Sequence, residues 1–126
     1  MGRAVPGERS VVLVVEDEVL IRLMAEDIVR EAGFHAIGAS GADEAIRILE
    51  GRSDIGVVFT DIQMAGSMDG LGLVEVIRDR WPDIAVVVTS GRHNGHRIDL
   101  PSRARFLPKP YQSNQVAAAL RELIKA

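Results

Sequence analysis

Four stretches of this sequence place reactive side chains where an apolar run stops. Glu16-Asp17 follows V-V-L-V-V, Asp61 follows V-V-F-T, Thr89-Ser90 closes I-A-V-V-V-T-S, and Lys109-Pro110 follows R-F-L-P. Taken singly, an acid after an apolar run is most simply a helix cap or a solvated charge. Three carboxylates, a hydroxyl and a lysine at the ends of four separate runs ask for a common account. Carboxylates brought together repel, and ionising all of them requires a compensating cation. Oxygen donors in a chain without cysteine suit magnesium, which takes a few carboxylates together with waters and often a phosphate oxygen. A carboxylate nucleophile, a divalent cation, a lysine and a hydroxyl are what phosphoryl transfer asks for.

The intervening pattern must bring those ends together. Val11 to Val15 is a continuous aliphatic run, the mark of a strand buried on both faces. From Val19 to about Ala32 the period becomes helical, with Leu20, Leu23, Met24 and Ile28 on one face and Glu18, Arg22, Glu26 and Arg30 as an i,i+4 ladder on another. Gly33 ends that helix. His35 to Ala39 is a second strand, and Ser40 with Asp43 resembles a capping box opening a helix to about Glu50. Val57 to Thr60 is a third strand. A helix from about Leu71 to Arg80 is stopped by Trp81-Pro82, and Ile84 to Thr89 is a fourth strand. Ser90 to Arg103, with Gly91, Gly95 and Pro101, supports at most a short or frayed helix. Arg105 to Leu107 is a fifth strand, and Ser113 is placed to cap a last helix with Val116, Leu120 and Leu123/Ile124 inward. Strict alternation with buried strands implies an α/β fold, a parallel sheet covered on both faces. Five strands in this length suit the flavodoxin-like doubly wound (βα)5 sandwich of strand order 2-1-3-4-5, whose site lies beyond the carboxyl ends of the strands.

Composition narrows the class. The chain has 126 residues, 47% apolar and 26% charged, which fits one domain with a real core. The organisation expected is a tail over residues 1–9 and one domain over residues 10–126. No cysteine is present, so thiolate sites and disulfides are excluded, and no apolar run reaches the roughly 18 residues of a membrane helix. With no signal-peptide pattern at the start, the expected setting is the cytoplasm. Net charge is −3, which argues against direct DNA binding. A basic stretch with Arg92, Arg97, Arg103, Arg105 and Lys109 reads either as a solvated face or as a docking surface for an acidic partner. His93 and His96, without a third ligand nearby, read as a polar loop rather than a zinc site.

The motifs V-V-E-D, D-I-Q-M…M-D-G, V-V-V-T-S-G and F-L-P-K-P-Y, in this order and in these strand contexts, resemble the receiver domain of bacterial two-component response regulators, including the single-domain chemotaxis regulators. The resemblance runs from about Val11 to the C-terminus. It implies that Asp61 accepts a phosphoryl group from a sensor histidine kinase or a histidine phosphotransfer protein. It implies Mg2+ as cofactor, held by Asp17 directly, by Glu16 through water, by Asp61 and by the backbone carbonyl of Gln63. Lys109 would pair with Asp61 and then with a phosphoryl oxygen. Thr89 would move to hydrogen-bond the phosphoryl group, with Phe106 as the aromatic switch, and the bond before Pro110 would be cis. The implied protein is a stand-alone phosphoacceptor with self-catalysed phosphorylation and slow autodephosphorylation rather than a conventional enzyme. It would switch the binding of a downstream protein, as a monomer or a phosphorylation-dependent dimer.

The sequence departs from the family pattern where Ala65 replaces a proline and one extra residue lies between Met64 and Met68. The competing readings are a receiver-like scaffold that is not phosphorylated, a flavin protein and a haloacid-dehalogenase-like phosphatase. The acidic Glu16-Asp17-Glu18 loop would repel a flavin phosphate, and no D-x-D follows the first strand.

Overall fold

A run of valines interrupted by one leucine favours extended backbone, because β-branched side chains pack well on a pleated surface. In the computed structural model, which describes residues 10–64, 66, 68–91 and 103–124, that run is β1, Val11–Val15, buried at every position. The chain continues through α1 (Val19–Glu31), β2 (His35–Ala39), α2 (Ala42–Gly51), β3 (Ile55–Asp61), α3 (Gly70–Arg80), β4 (Ala85–Ser90), β5 (Ala104–Pro108) and α4 (Ser113–Ile124). The strands form one sheet of order β2-β1-β3-β4-β5, parallel throughout as the alternation of elements implies. The expected tail over 1–9, Ala65 and Ser67, and the segment 92–102 with His93, His96, Arg92, Arg97 and the doubtful helix all lie outside the described residues.

Side chains alternate across the sheet. Leu13, Val15, Val58, Val86 and Val88 point to the side covered by α2 and α3, where they meet Ala45, Leu49, Leu73 and Ile77. Val12, Val14, Val57, Phe59 and Val87 point to the other side and meet Ala25 and Val29 of α1 and Val116, Leu120 and Leu123 of α4. Each such aliphatic side chain, fully buried, contributes about 1.5–3 kcal/mol of transfer free energy. The two cores make three layers, and they hold the carboxyl ends of β1, β3 and β4 on one rim.

Four local expectations change. Leu20, Leu23 and Met24 do share a face of α1, but that face is turned to solvent; Ala25, Glu26 and Val29 are the buried residues of the helix. Charged side chains of the ladder take the inner edge because Arg22 and Arg30 both reach Glu26. At α2 the N-cap is Gly41, and Glu44, not Asp43, closes the box: it accepts from both the amide (2.8 Å) and the hydroxyl (3.0 Å) of Ser40. Those two bonds hold the Glu44 carboxyl below the usual glutamate range. Ser113 lies inside α4; Gln112 precedes it and donates its amide to the Gln115 side chain at 2.7 Å. Finally, β3 begins two residues earlier than the pattern suggested and keeps Asp61 as its last residue.

Candidate functional site

The site starts with the register of two parallel strands. Asp61 ends β3 opposite Thr89 of β4, and the following amide, Ile62, donates to the Thr89 carbonyl at 3.0 Å. Both side chains are buried in the sense of residue exposure, 7% for Asp61 and 3% for Thr89. β5 adds the lysine: the Lys109 amide donates to the Ser90 carbonyl at 3.1 Å, which fixes its backbone against the end of β4. From there Lys109 Nζ reaches Asp61 Oδ2 at 2.9 Å and Glu16 Oε1 at 3.8 Å. The Lys109-Pro110 peptide is cis. Tyr111, just beyond, packs its ring against Phe59 with centroids 5.6 Å apart.

Glu16 leaves β1 with its amide donated to Ala39 of β2 at 3.0 Å, so it stays in the sheet and is buried. Its Oε2 accepts from the Glu18 amide at 3.1 Å, and its carboxyl stands against that of half-buried Asp17. Burial pushes the Glu16 carboxyl up to about 7; the neighbouring acids Asp17 and Asp61 add to the rise, and Lys109 offsets part of it. Burial pulls the Lys109 ammonium down, but its hydrogen bond and ion pair with Asp61, helped by Glu16, outweigh this and hold it above the ordinary lysine value. Tyr111 is raised by its burial.

The loop after β3 is anchored at both ends. The Gln63 amide donates to Asp61 Oδ1 at 3.3 Å, and the Gln63 Oε1 accepts from Ser90 Oγ at 2.9 Å. Gly70 donates its amide to the Ile62 carbonyl at 2.9 Å and begins α3 directly against Asp61: a Cβ there would overlap the Asp61 carbonyl oxygen and lie 2.8 Å from Ile62 Cα. Asp69 caps the helix by accepting from the Gly72 amide at 3.0 Å. Phe106 sits half-buried on β5, opposite Val88 and packed on the α2/α3 side of the sheet.

The geometry thus joins Glu16, Asp61, Thr89 and Lys109, with Asp17 beside Glu16 and Gln63 beside Asp61. Among the described residues no three His, Cys, Asp or Glu side chains are gathered into a complete ligand set. That donor set still fits magnesium, which binds proteins through one or two carboxylates and keeps several waters. Burial raises the Glu16 carboxyl most, and Asp17 and Asp61 beside it add to the rise, so a cation among these acids would meet carboxylates that need a counter-charge. Of the basic residues singled out in the sequence, Arg103 donates to the Leu123 carbonyl at 2.9 Å and Arg105 pairs with Glu122 at 3.5 Å, so both are tied to α4. Sequence reasoning missed the Ser90–Gln63 bond, the Asp69 cap and the guanidinium of Arg22 on the Glu16 carbonyl. Only the cap had a readable signal, an aspartate just before the helical period.

Comparison with known proteins agrees with this fold. The sequence profile of the response regulator receiver domain matches residues 12–121. A putative response regulator NtrX-like protein of Rickettsia bellii is 40% identical over 81 residues, 64% of this chain and 17% of its own length. The sensor kinase CckA of Brucella abortus is 31% identical over 120 residues, 92% of this chain and 13% of its own. The chain therefore spans less than a fifth of the length of these curated relatives. The response regulator TrrA of Thermotoga maritima, solved in complex with Mg2+-BeF, superposes with a TM-score of 0.79 at 25% identity, over 90% of this chain and 98% of that one.

Proposed function

Because the chain belongs to the response regulator receiver domain family of two-component phosphorelays, we propose that it accepts a phosphoryl group on Asp61 and uses it to switch protein binding. A sensor histidine kinase or a histidine phosphotransfer protein is the donor. An Asp61 carboxylate oxygen attacks phosphorus, the P–N bond to the donor histidine breaks, and its electron pair returns to the imidazole nitrogen. Lys109 neutralises the Asp61 carboxylate beforehand and then faces the phosphoryl oxygens, as donors aimed at developing charge do. The observation that carries this reading is Lys109 Nζ lying 2.9 Å from Asp61 Oδ2 while Thr89 stands in register with the same aspartate. Magnesium is the cofactor, held by Asp17, Glu16, Asp61 and the Gln63 carbonyl; it would supply charge neutralisation on the phosphoryl oxygens. The TrrA complex, crystallised with Mg2+-BeF, supports that choice.

Thr89 and Phe106 form the switch. Thr89 turns toward the phosphoryl group, Phe106 fills the space behind it, and the surface around β4 and β5 changes. Among the described residues no helix is long and apolar enough to cross a membrane, and the proposed setting is the cytoplasm, alongside the phosphodonor.

The test is incubation with magnesium and a small phosphodonor such as acetyl phosphate, followed by intact mass. The wild type gains one phosphoryl group and Asp61→Asn gains none. Equal labelling of the two would overturn the assignment, and an unlabelled wild type would favour a receiver-like scaffold.

A further inference from the structure

The inner edge of α1 is polar where an apolar stripe would be ordinary. Glu26 is 8% exposed, a low value for a glutamate on a surface helix. Its carboxylate lies where a Cβ on Gly38 of β2 would have to go, and that missing Cβ would also approach Arg22 Cδ at 3.1 Å and Nε at 3.3 Å. Gly38 therefore makes the space in which Arg22 and Glu26 lie against the sheet. Within it, Arg22 Nε stands 4.0 Å from Glu26 Oε2, and Arg30 Nη2 holds Glu26 Oε1 from the far side at 3.4 Å while donating to the Ala36 carbonyl at 3.2 Å.

The other end of the Arg22 guanidinium reaches the carboxyl end of β1. Its Nη1 donates to the Glu16 carbonyl at 2.9 Å. That carbonyl belongs to the peptide joining Glu16 to Asp17. The preceding peptide, Val15 to Glu16, is held by the sheet through Glu16 N and Ala39 O at 3.0 Å, and the next one, which leads out of the sheet to Asp17, is held by Arg22. A planar guanidinium that bridges a carboxylate and a carbonyl fixes direction as well as distance, which an ammonium does less well.

Resting on the functional reading above, we propose that Arg22, seated by Glu26 in the space left by Gly38, is a positioning residue for the magnesium-binding acids. By holding the Glu16–Asp17 peptide plane it sets the aim of the Asp17 side chain, without itself touching cation or phosphoryl group. Groups that orient metal ligands in this way typically change metal affinity by about 10- to 100-fold when removed.

The experiment measures magnesium binding to the whole chain by calorimetry, without phosphodonor. Arg22→Met should raise the magnesium Kd about tenfold. Gly38→Ala keeps Arg22 but places a methyl on the Glu26 carboxylate, and it should weaken magnesium in the same direction. Both act through one relay, so the double variant should be clearly less than the product of the two effects. Arg22→Lys retains charge and helix propensity and should recover part of the loss; it also serves if Arg22→Met fails to fold. Labelling by acetyl phosphate should show a raised half-saturating magnesium concentration with an unchanged plateau, a split that loss of folding would not produce. Wild-type magnesium affinity in Arg22→Met or Arg22→Lys, multiplicative effects in the double variant, or a plateau that stays low at saturating magnesium overturns the proposal. A wild type that binds no magnesium overturns the functional reading and the proposal together.

Discussion

Ser90 Oγ donates to Gln63 Oε1 at 2.9 Å, joining the residue after the site threonine to the second residue after the site aspartate. Ser90 is fully buried and Gln63 is exposed, so the bond ties an exposed side chain of the loop after β3 to the buried end of β4. Ser90→Ala should release it. A neutral hydrogen bond of this kind contributes about 1 kcal/mol, equivalent to roughly fivefold in a rate. The expected outcome is an acyl phosphate hydrolysed about fivefold faster, with initial labelling little changed. The half-life of phosphorylated protein after donor removal checks it.

Glu16 gives a pH dependence with a defined sign. Its folded carboxyl is pushed up to about 7 from an ordinary value of 4.5. The folded protein therefore holds a proton that the unfolded chain has lost over this window, and stability without divalent cation falls as pH rises from about 4.5 to above 7. The groups facing Glu16 are Asp17, Asp61 and Lys109, and Lys109 stays charged throughout the window. The size is at most about 3 kcal/mol for a shift of this extent. Urea unfolding in chelator at pH 5.5 and pH 8 should show the fall, and Glu16→Gln should flatten it.

The outward face of α1 should matter to the protein donor and not to chemistry. Val19, Leu20, Leu23 and Met24 are 56%, 75%, 48% and 64% exposed and start two residues after Asp17. A contiguous exposed apolar patch beside a reactive rim is most simply a contact surface. Leu20→Asp with Met24→Asp should slow phosphotransfer from the cognate phosphohistidine protein by more than about tenfold, a hot-spot effect. Labelling by acetyl phosphate and the urea midpoint should stay near wild type. Parallel rates with the two donors separate the outcomes.

Gly70 should be needed for the position of Asp61. A methyl there overlaps the Asp61 carbonyl and crowds Ile62, both backbone atoms that cannot move aside cheaply. Gly70→Ala should destabilise by about 1–3 kcal/mol, the range for overpacking, and slow labelling even under conditions where the protein is folded. Gly51→Ala, with nothing within 4 Å of the new Cβ, is the matched control. Urea denaturation and labelling rate measured on both variants check this.

The strands, their order and the rim that carries Glu16, Asp17, Asp61, Thr89 and Lys109 were legible because buried parallel strands write continuous aliphatic runs, and the reactive residues sit where those runs stop. Strand order followed from the number of alternating strands in a chain of this length, which suits the flavodoxin-like sheet. The inner face of α1 was not legible. Its apolar period is sound, yet Gly38 leaves room for Glu26 and Arg22 on the sheet, so the leucines turn outward. Residue spacing shows that a helix has two faces, but which one is buried depends on the shape of the strand beneath it. The same holds for Ser90 with Gln63, 27 positions apart, and for Arg22 on the Glu16 carbonyl. The sequence by itself determined the elements, the sheet and the reactive side chains, because propensity and burial act locally along the chain. Only the tertiary structure decided which atoms hold those side chains in place, because hydrogen bonds between distant residues depend on separations of a few tenths of an ångström that no spacing encodes.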